Sequence, residues 1–248
     1  MIMKKILGLI LARGGSKRIP RKNIKDFLGK PLIAWSIEAG IKSGVFDRIV
    51  LSTDDKEIAE VARKYGAEIP FMRPPELASD TALADDTIRH AIKWLKENEN
   101  YNPEWVFLFE PTAPAKQPSH MQDVLKIIKE NEGFDSVVGV SEFPLQYTYI
   151  MQIKLDDKNI ISRAHDGELL KNMPRNSREI PKSYMPNPQI YAFKPENLFK
   201  GNGSFWGDNT YGYLMDDKYN IDIDTPEDWH AAEEKMKKIL DNLNKRKK

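Results

Sequence analysis

Through about residue 140, short apolar runs alternate with segments of helical period, and that alternation restricts the chain to a layered α/β domain with a largely parallel sheet. Ile6–Leu11 is the first run. Behind Pro31, Ile33, Ile37 and Ile41 recur at helical spacing until Gly44. Residues 48–53 read as a second strand, running into Asp54 and Asp55 at the head of a helix through Ile58, Ala59, Val61 and Ala62 that stops at Gly66. Residues 68–72 read as a short third strand, and Pro74 and Pro75 then force an extended loop. A helix with Ile88, Ile92 and Leu95 inward, the unbroken apolar run Trp105–Phe109, a helix capped by Ser119 with Val124, Leu125 and Ile128 inward, and a strand at 135–140 continue the series.

Beyond Ser141 the texture changes. Residues 147–155 and Ile160-Ile161 flank the turn Asp156-Asp157-Lys158-Asn159 as a hairpin, and 163–188 is polar and punctuated by proline. Residues 141–186 are therefore expected to form a protruding flap or dimerisation arm, inserted into a single domain spanning 1–248. Strand signals return at 189–193, 211–215 and 220–225. A last helix starts at Thr225, Pro226, Glu227 and Asp228 and carries Trp229, Ala232, Met236, Leu240 and Leu243 as its apolar stripe. The terminal Lys245-Arg246-Lys247-Lys248 reads as a frayed, solvated end.

Two stretches bear chemistry. The first follows the opening strand: Arg13, Gly14, Gly15, Ser16, Lys17, Arg18, Arg21, Lys22, Asn23 and Lys25 put two glycines and six cations ahead of Asp26, the first acidic residue. Glycines let backbone N–H groups approach phosphate oxygens, and Arg and Lys neutralise charge spread over several oxygens, so the loop suits a triphosphate. A solvated basic loop or a nucleic-acid patch has the same composition. The loop lacks the spacing of a Walker motif and of G-x-G-x-x-G. The second stretch is Asp222-Ile223-Asp224. Two positions apart on a strand, the carboxylates share a face and offer hard oxygens to Mg²⁺; alternatively Asp224 caps the following helix and Asp222 is merely exposed.

Composition narrows the partners. Lys plus Arg number 38 against 37 Asp plus Glu, so the basic loop is a local concentration on a nearly neutral chain, which argues against a general nucleic-acid binder. With no cysteine there is no disulfide, thiolate metal site or Cys nucleophile, and the four histidines have no metal-ligand spacing. The apolar run behind Lys4-Lys5 is too short for a membrane span and lacks a small-residue cleavage site, so a soluble cytoplasmic protein without membrane partners is expected.

Taken in order, residues 11–23, Ser52-Thr53-Asp54, Arg73-Pro74 with Leu77-Ala78-Ser79-Asp80-Thr81, Pro111-Thr112-Ala113-Pro114 and Asp222-Ile223-Asp224-Thr225 resemble the acylneuraminate cytidylyltransferases. These are the CMP-sialic acid synthetases and their relatives acting on legionaminic, pseudaminic and similar nonulosonic acids. The resemblance implies a three-layer, Rossmann-like nucleotidyltransferase fold with a mixed, mainly parallel sheet and a hairpin dimerisation arm. It implies transfer of CMP from CTP to the anomeric hydroxyl of a sugar acid, with Mg²⁺ as cofactor and a homodimer as the assembly. By the same resemblance Arg13, Lys17, Lys22 and Asn23 hold the triphosphate, and Gly14, Gly15 and Ser16 shape the loop. Arg73, Ala78, Ser79 and Asp80 border the cytidine, and Asp222 and Asp224 bind metal. Arg13, Lys22, Asp222 and Asp224 are the residues expected to carry catalysis.

The acceptor half departs from the family pattern. Glu110 stands where many members have Gln, Ala113 where they have Ser, and Ala115-Lys116 where they have Leu-Arg, while Asn187-Pro188-Gln189-Ile190-Tyr191 replaces Asn-Gly-Ala-Ile-Tyr. Glu110, Arg175, Arg178, Asn187 and Tyr191 are the expected sugar-binding residues, with Lys182 a further carboxylate binder. Because Glu110 changes the charge there, a different sugar acceptor or nucleotide donor on the same fold stays open, as does a nucleotide-binding protein without turnover.

Overall fold

A computed structural model of the chain describes residues 5–245 except Asn202, with the backbone alone at Ser177. Lys4 and the last three residues of the basic C-terminus lie outside that range. Met1–Gly139 with Asn187–Lys248 forms one compact unit, and Val140–Pro186 a second.

The strands are β1 (Ile6–Leu11), β2 (Arg48–Ser52), β3 (Trp105–Phe109), β4 (Ser136–Glu142), the short β5 (Ile153–Leu155) and β6 (Ile161–Arg163), β7 (Tyr184–Phe193) and β8 (Thr210–Leu214). The helices are α1 (Leu32–Ser43), α2 (Lys56–Lys64), α3 (Ala84–Glu99), α4 (Pro118–Glu130) and α5 (Pro226–Lys245). Six strands make one sheet in the order β2-β1-β3-β7-β4-β8. β1 runs parallel to both β2 and β3, as the alternating pattern requires, and β7 runs antiparallel to β3, which makes the sheet mixed.

Period two sorts the sheet's side chains. Ile6, Ile10, Phe107 and Phe109 pack with α1, α2 and α4 through Ile33, Ile37, Ile58 and Val124. Leu7, Leu9, Val106 and Leu108 face the other way onto Ile88, Ile92 and Leu95 of α3. Three layers result. A third cluster seats α5 on the loop after β1, through Trp229, Met236 and Ile239 against Phe27, Leu32, Ile221 and Ile223.

Several expected elements differ. Residues 68–72 form no strand: Glu68 makes one parallel bridge to Val50 before the prolines. Helix α4 begins at Pro118, one residue before the expected Ser119 cap, with the Gln117 N–H donating to His120 Nδ1 at 3.3 Å. Ile239, not Leu240, fills the buried stripe of α5, and Ile41 of α1 is 49% exposed. Residues 220–225 join no ladder. Their alternating burial comes from Ile221 and Ile223 reaching into the third cluster, so the two aspartates still face outward together.

In the second unit β5 and β6 pair as an antiparallel hairpin, with 3-10 turns at Leu145–Tyr147 and Tyr149–Met151 where a longer strand is expected. Tyr147, Ile153, Leu155, Ile160 and Leu169 are exposed on it.

Candidate active site

The end of β1 is tied to the end of β2 by the Ala12 N–H, which donates to Ser52 O at 3.1 Å. The basic loop then closes on the head of α2. The Gly14 N–H donates to Asp54 Oδ1 at 2.9 Å, and a Cβ on Gly14 would lie 2.8 Å from Asp55 Oδ2, so any side chain there has to displace the Asp55 carboxylate. Asp55 caps α2 by accepting from the Ile58 N–H at 2.9 Å and also pairs with Arg21, whose guanidinium is shared with Glu57. Asn23 is buried and donates from Nδ2 to Arg13 O at 3.0 Å, pinning the loop from beneath. A Cβ on Gly15 would meet no atom within 4 Å.

These anchors divide the six cations. Arg21 serves α2, and Lys25 stacks over the Trp229 ring at 4.7 Å. Arg13, Lys17, Arg18 and Lys22 line an open cleft of about 810 Å³, together with Ser16 and Asn23. Across its mouth Arg13 Nη1 donates to Ser79 O at 2.9 Å and pairs with Asp80 at 3.0 Å, while Lys17 reaches Asp80 at 2.5 Å. Hydrogen bonding from Lys17 and Arg13 holds the Asp80 carboxyl below its usual range.

Arg73, Leu77, Ser79, Ala82, Ala84 and Thr87 add a second wall. Arg73 is buried and clamps β2 to this wall, donating to Ser52 Oγ at 3.1 Å and Ser52 O at 2.6 Å. Burial, reinforced by the neighbouring Arg13 charge and opposed by Asp54, lowers its guanidinium to about 10. Ala78 ends the short turn behind this wall, where its N–H donates to Pro75 O at 3.0 Å.

The far end is acidic: Glu110, Asp222 and Asp224 line it beside Pro111 and Thr112. The Ile223 N–H donates to Thr112 O at 3.0 Å, and the Thr112 side chain hydrogen-bonds Asp222. From the other side Lys22 Nζ donates to Ile223 O at 2.7 Å and to Asp224 Oδ1 at 3.2 Å, with Arg18 at 4.0 Å from Asp224. Asp224 is not the cap of α5. Asp228 accepts from the Asp224 and Thr225 N–H groups at 3.1 and 2.8 Å, and Thr225 Oγ1 accepts from the Asp228 N–H at 3.2 Å. The Asp224 carboxylate is thereby left facing Lys22 and the cleft.

Burial first, and then the charge of Asp224, raise Asp222 above the usual carboxylate range, opposed by Thr112 and Lys22. The same causes act on Glu110, where burial and the charges of Asp222 and Asp224 outweigh Lys116 and Lys22 and raise the carboxyl to about 7. Lys116 is a residue that sequence reasoning treats only as a departure from the family pattern. It is buried, and its signal is a lone cation closing a run of small and proline residues, Pro111 to Ala115, with no acid beside it.

Of the expected acceptor residues, Glu110 alone is on the cleft wall. Asn187 is fully buried and accepts from the Gln189 N–H at 3.1 Å inside β7. The Tyr191 ring packs edge-on against Phe205 and Trp206 at 5.6 and 5.9 Å, and burial followed by the charges of Glu110 and Asp222 raises its hydroxyl. Both positions are expected at the sugar only through the family pattern matched at 187–191, and nothing local in the sequence marks Asn187 as buried. Arg175 and Arg178 are exposed within the second unit, as is Lys182, which pairs with Glu142 at 2.9 Å.

A family model described as Cytidylyltransferase matches residues 7–166. The chain is 43% identical over 168 residues to the pseudaminic acid cytidylyltransferase of Campylobacter jejuni serotype O:23/36, covering 65% of this chain and 72% of that protein. It is 35% identical over 235 residues to the CMP-N,N'-diacetyllegionaminic acid synthase of Legionella pneumophila, covering 94% and 96%. A solved structure of CMP:2-keto-3-deoxy-manno-octonic acid synthetase complexed with CTP matches with a TM-score of 0.65 at 16% identity, over 94% of this chain and 99% of that one. At that identity the likeness speaks to the fold alone. The match across well over half of the chain and the near full-length relative lead to one conclusion: this protein belongs to the cytidylyltransferase family and is a nucleotidyltransferase enzyme.

Proposed function

We propose that the enzyme transfers CMP from CTP to the anomeric hydroxyl of a nonulosonic acid of sialic, legionaminic or pseudaminic type and releases pyrophosphate. One observation carries this reading: a single cleft has four cations on one wall and two outward-facing aspartates at its end. Arg13, Lys17, Arg18 and Lys22 take the triphosphate, with Ser16 and Asn23 shaping the loop around it, and Arg73, Ala78, Ser79 and Asp80 border the nucleoside. The acceptor hydroxyl attacks the α-phosphorus in line, and charge builds on the phosphoryl oxygens and the departing pyrophosphate, where Arg13 and Lys22 stabilise it. The hydroxyl proton leaves toward the acidic end, where burial and neighbouring charge raise the proton affinity of Glu110.

Asp222 and Asp224 fit Mg²⁺. They offer hard oxygens beside the cationic wall, and Asp222 already bears the charge of its neighbour, which a cation would relieve. Among the described residues no cluster of three or more His, Cys, Asp or Glu is arranged to hold a metal, and Mg²⁺ commonly rests on one or two carboxylates plus waters and phosphate oxygens. When bound, it neutralises the triphosphate and the leaving pyrophosphate. Glu110 in place of Gln favours an acceptor other than sialic acid itself.

The same reading makes the protein a cytoplasmic homodimer that pairs through the second unit, whose exposed Tyr147, Ile153, Leu155 and Leu169 need cover. Among the described residues no helix is long and apolar enough to cross a membrane. The test is pyrophosphate release with each nucleoside triphosphate and Mg²⁺ against sialic, legionaminic, pseudaminic and 3-deoxy-octulosonic acids. Release with CTP and a nonulosonic acid is expected, and silence across the panel would sink the reading.

A further inference from the structure

Lys116 is a buried titratable group at the cleft that the proposed reaction leaves without a task. Its side chain is fully enclosed, and its Nζ donates to Ser36 Oγ at 2.9 Å, to Glu110 O at 2.9 Å and to Ala113 O. An ammonium has three N–H donors, and all three are used. Ser36 belongs to α1 and also donates to Glu110 O, at 3.3 Å. The cation therefore draws both ends of the 110–113 turn inward and fastens them to the first helix. Burying an ammonium this way is costly unless every donor is satisfied, and burial lowers its proton affinity here, against the charges of Glu110 and Asp222. A buried methionine would fill similar space without that cost.

The turn it fastens lines the cleft with Glu110 and Thr112, and Thr112 is the link to the aspartates. Thr112, between the two carbonyls held by Lys116, accepts the Ile223 N–H at 3.0 Å and hydrogen-bonds the Asp222 carboxylate through its side chain. The 221–224 segment has no strand partner; these bonds, those from Lys22 to Ile223 O and Asp224, the Gln189 Nε2 donation to Ile221 O at 2.8 Å and the Asp224 N–H to Asp228 replace the ladder that a sheet would supply. We infer that Lys116 is a positioning residue: by locking the 110–113 turn to α1 it sets, through Thr112, where Asp222 and Asp224 present their carboxylates. Its consequence for metal affinity rests on the proposed role of those aspartates, whereas its mechanical part does not.

The experiment compares the full-length parent with Lys116→Met. Amide hydrogen exchange by NMR reads Ile223 against Leu9 in the centre of the sheet. The expected result is exchange at Ile223 accelerated roughly tenfold more than at Leu9, because a local opening is released and not the whole fold. Equal acceleration at both would make Lys116 an ordinary core residue and overturn the inference. Mn²⁺ titration in the presence of CTP is the second readout, with affinity expected to fall about tenfold in Lys116→Met while CTP affinity in EDTA stays within about twofold.

Asp224→Asn separates the two claims. If the parent's Mn²⁺ affinity is indifferent to Asp224→Asn, the metal reading fails, and the Ile223 exchange still decides the inference about Lys116. If Lys116→Met yields no folded protein, Ser36→Ala removes one acceptor and keeps the ammonium. A selective acceleration of Ile223 of about threefold is then expected, and its absence overturns the inference.

Discussion

The two ends of the cleft are held in opposite ways. On the basic wall the cations meet exposed partners: Asp80, whose side chain is 50% exposed, takes Arg13 and Lys17 across the mouth. At the acidic end the supports are interior, with Lys116 buried, Thr112 bonded to Asp222 and Ile223, and Lys22 only 13% exposed. Exposed ion pairs contribute little and exchange readily with another anion, whereas a satisfied buried network fixes geometry. On the proposed reading the basic wall swaps its partner for phosphate, and the acidic end keeps its shape while that happens.

Breaking the acidic end should have the largest effect. Asp224→Asn removes a carboxylate from the proposed metal site and leaves the α5 cap to Thr225 and Asp228. Turnover is expected to fall by about 10²–10³-fold or more, the range seen when one electrostatic stabiliser is lost. The melting temperature should move by no more than a degree or two, since the pair it forms with Lys22 involves a carboxylate that is 54% exposed. Steady-state kinetics with calorimetry checks both, and full activity in this variant would show that the metal assignment is wrong.

How legible each end was in sequence follows from the range of its contacts. The β1 run, the cation cluster and the α2 and α5 starts are written in consecutive residues, and period two on β1 and β3 carries both core faces. Asp222 and Asp224 were found through strand alternation, yet the alternation arises from Ile221 and Ile223 filling the α5 cluster, with no sheet involved. The Lys116 to Ser36 bond spans 80 positions, and nothing local marks Ser36 as an acceptor. Asn187 and Tyr191 were drawn from the resemblance alone, and period could not place them relative to the cleft. Asn187 Oδ1 accepts from the Gln189 N–H within β7, while the Tyr191 ring packs on Phe205 and its hydroxyl lies within reach of the Glu110 and Asp222 charges.

An intermediate effect is expected from Glu110, which tests how strongly the acidic end is desolvated. Burial and the charges of Asp222 and Asp224 push its carboxyl up to about 7 from an ordinary 4.5. A raised folded value means that the native state binds the proton more tightly, so the associated stability is complete below about pH 4.5 and is lost as pH climbs through 7. Lys116, which burial lowers to about 7, slopes the opposite way as pH nears 7 and so cannot supply this decline. The full shift would correspond to about 3 kcal/mol, and screening by the open cleft brings the expected loss to about 1–2 kcal/mol, a few degrees in Tm. Glu110→Gln should abolish that decline between pH 4.5 and 7, measured by thermal melts in EDTA. A parent and variant with parallel profiles would mean that Glu110 is hydrated and ionised like any surface carboxylate.

The smallest effect, and the one that most sharpens the contrast, concerns Asp80. If its carboxylate only keeps Arg13 and Lys17 occupied until phosphate arrives, Asp80→Asn frees both cations and should tighten pyrophosphate binding. The gain is expected at roughly two- to fivefold at low salt, as for other exposed pairs, and should shrink as ionic strength rises. If instead the Asp80 side chain contacts the nucleotide, the same substitution weakens CTP while leaving pyrophosphate unchanged. Titrating the two ligands side by side decides between an exchangeable partner and a binding residue, because the two roles predict opposite signs. Tighter pyrophosphate in Asp80→Asn, beside weaker Mn²⁺ in Lys116→Met, would show that one wall of the cleft works by giving up its contacts and the other by holding them.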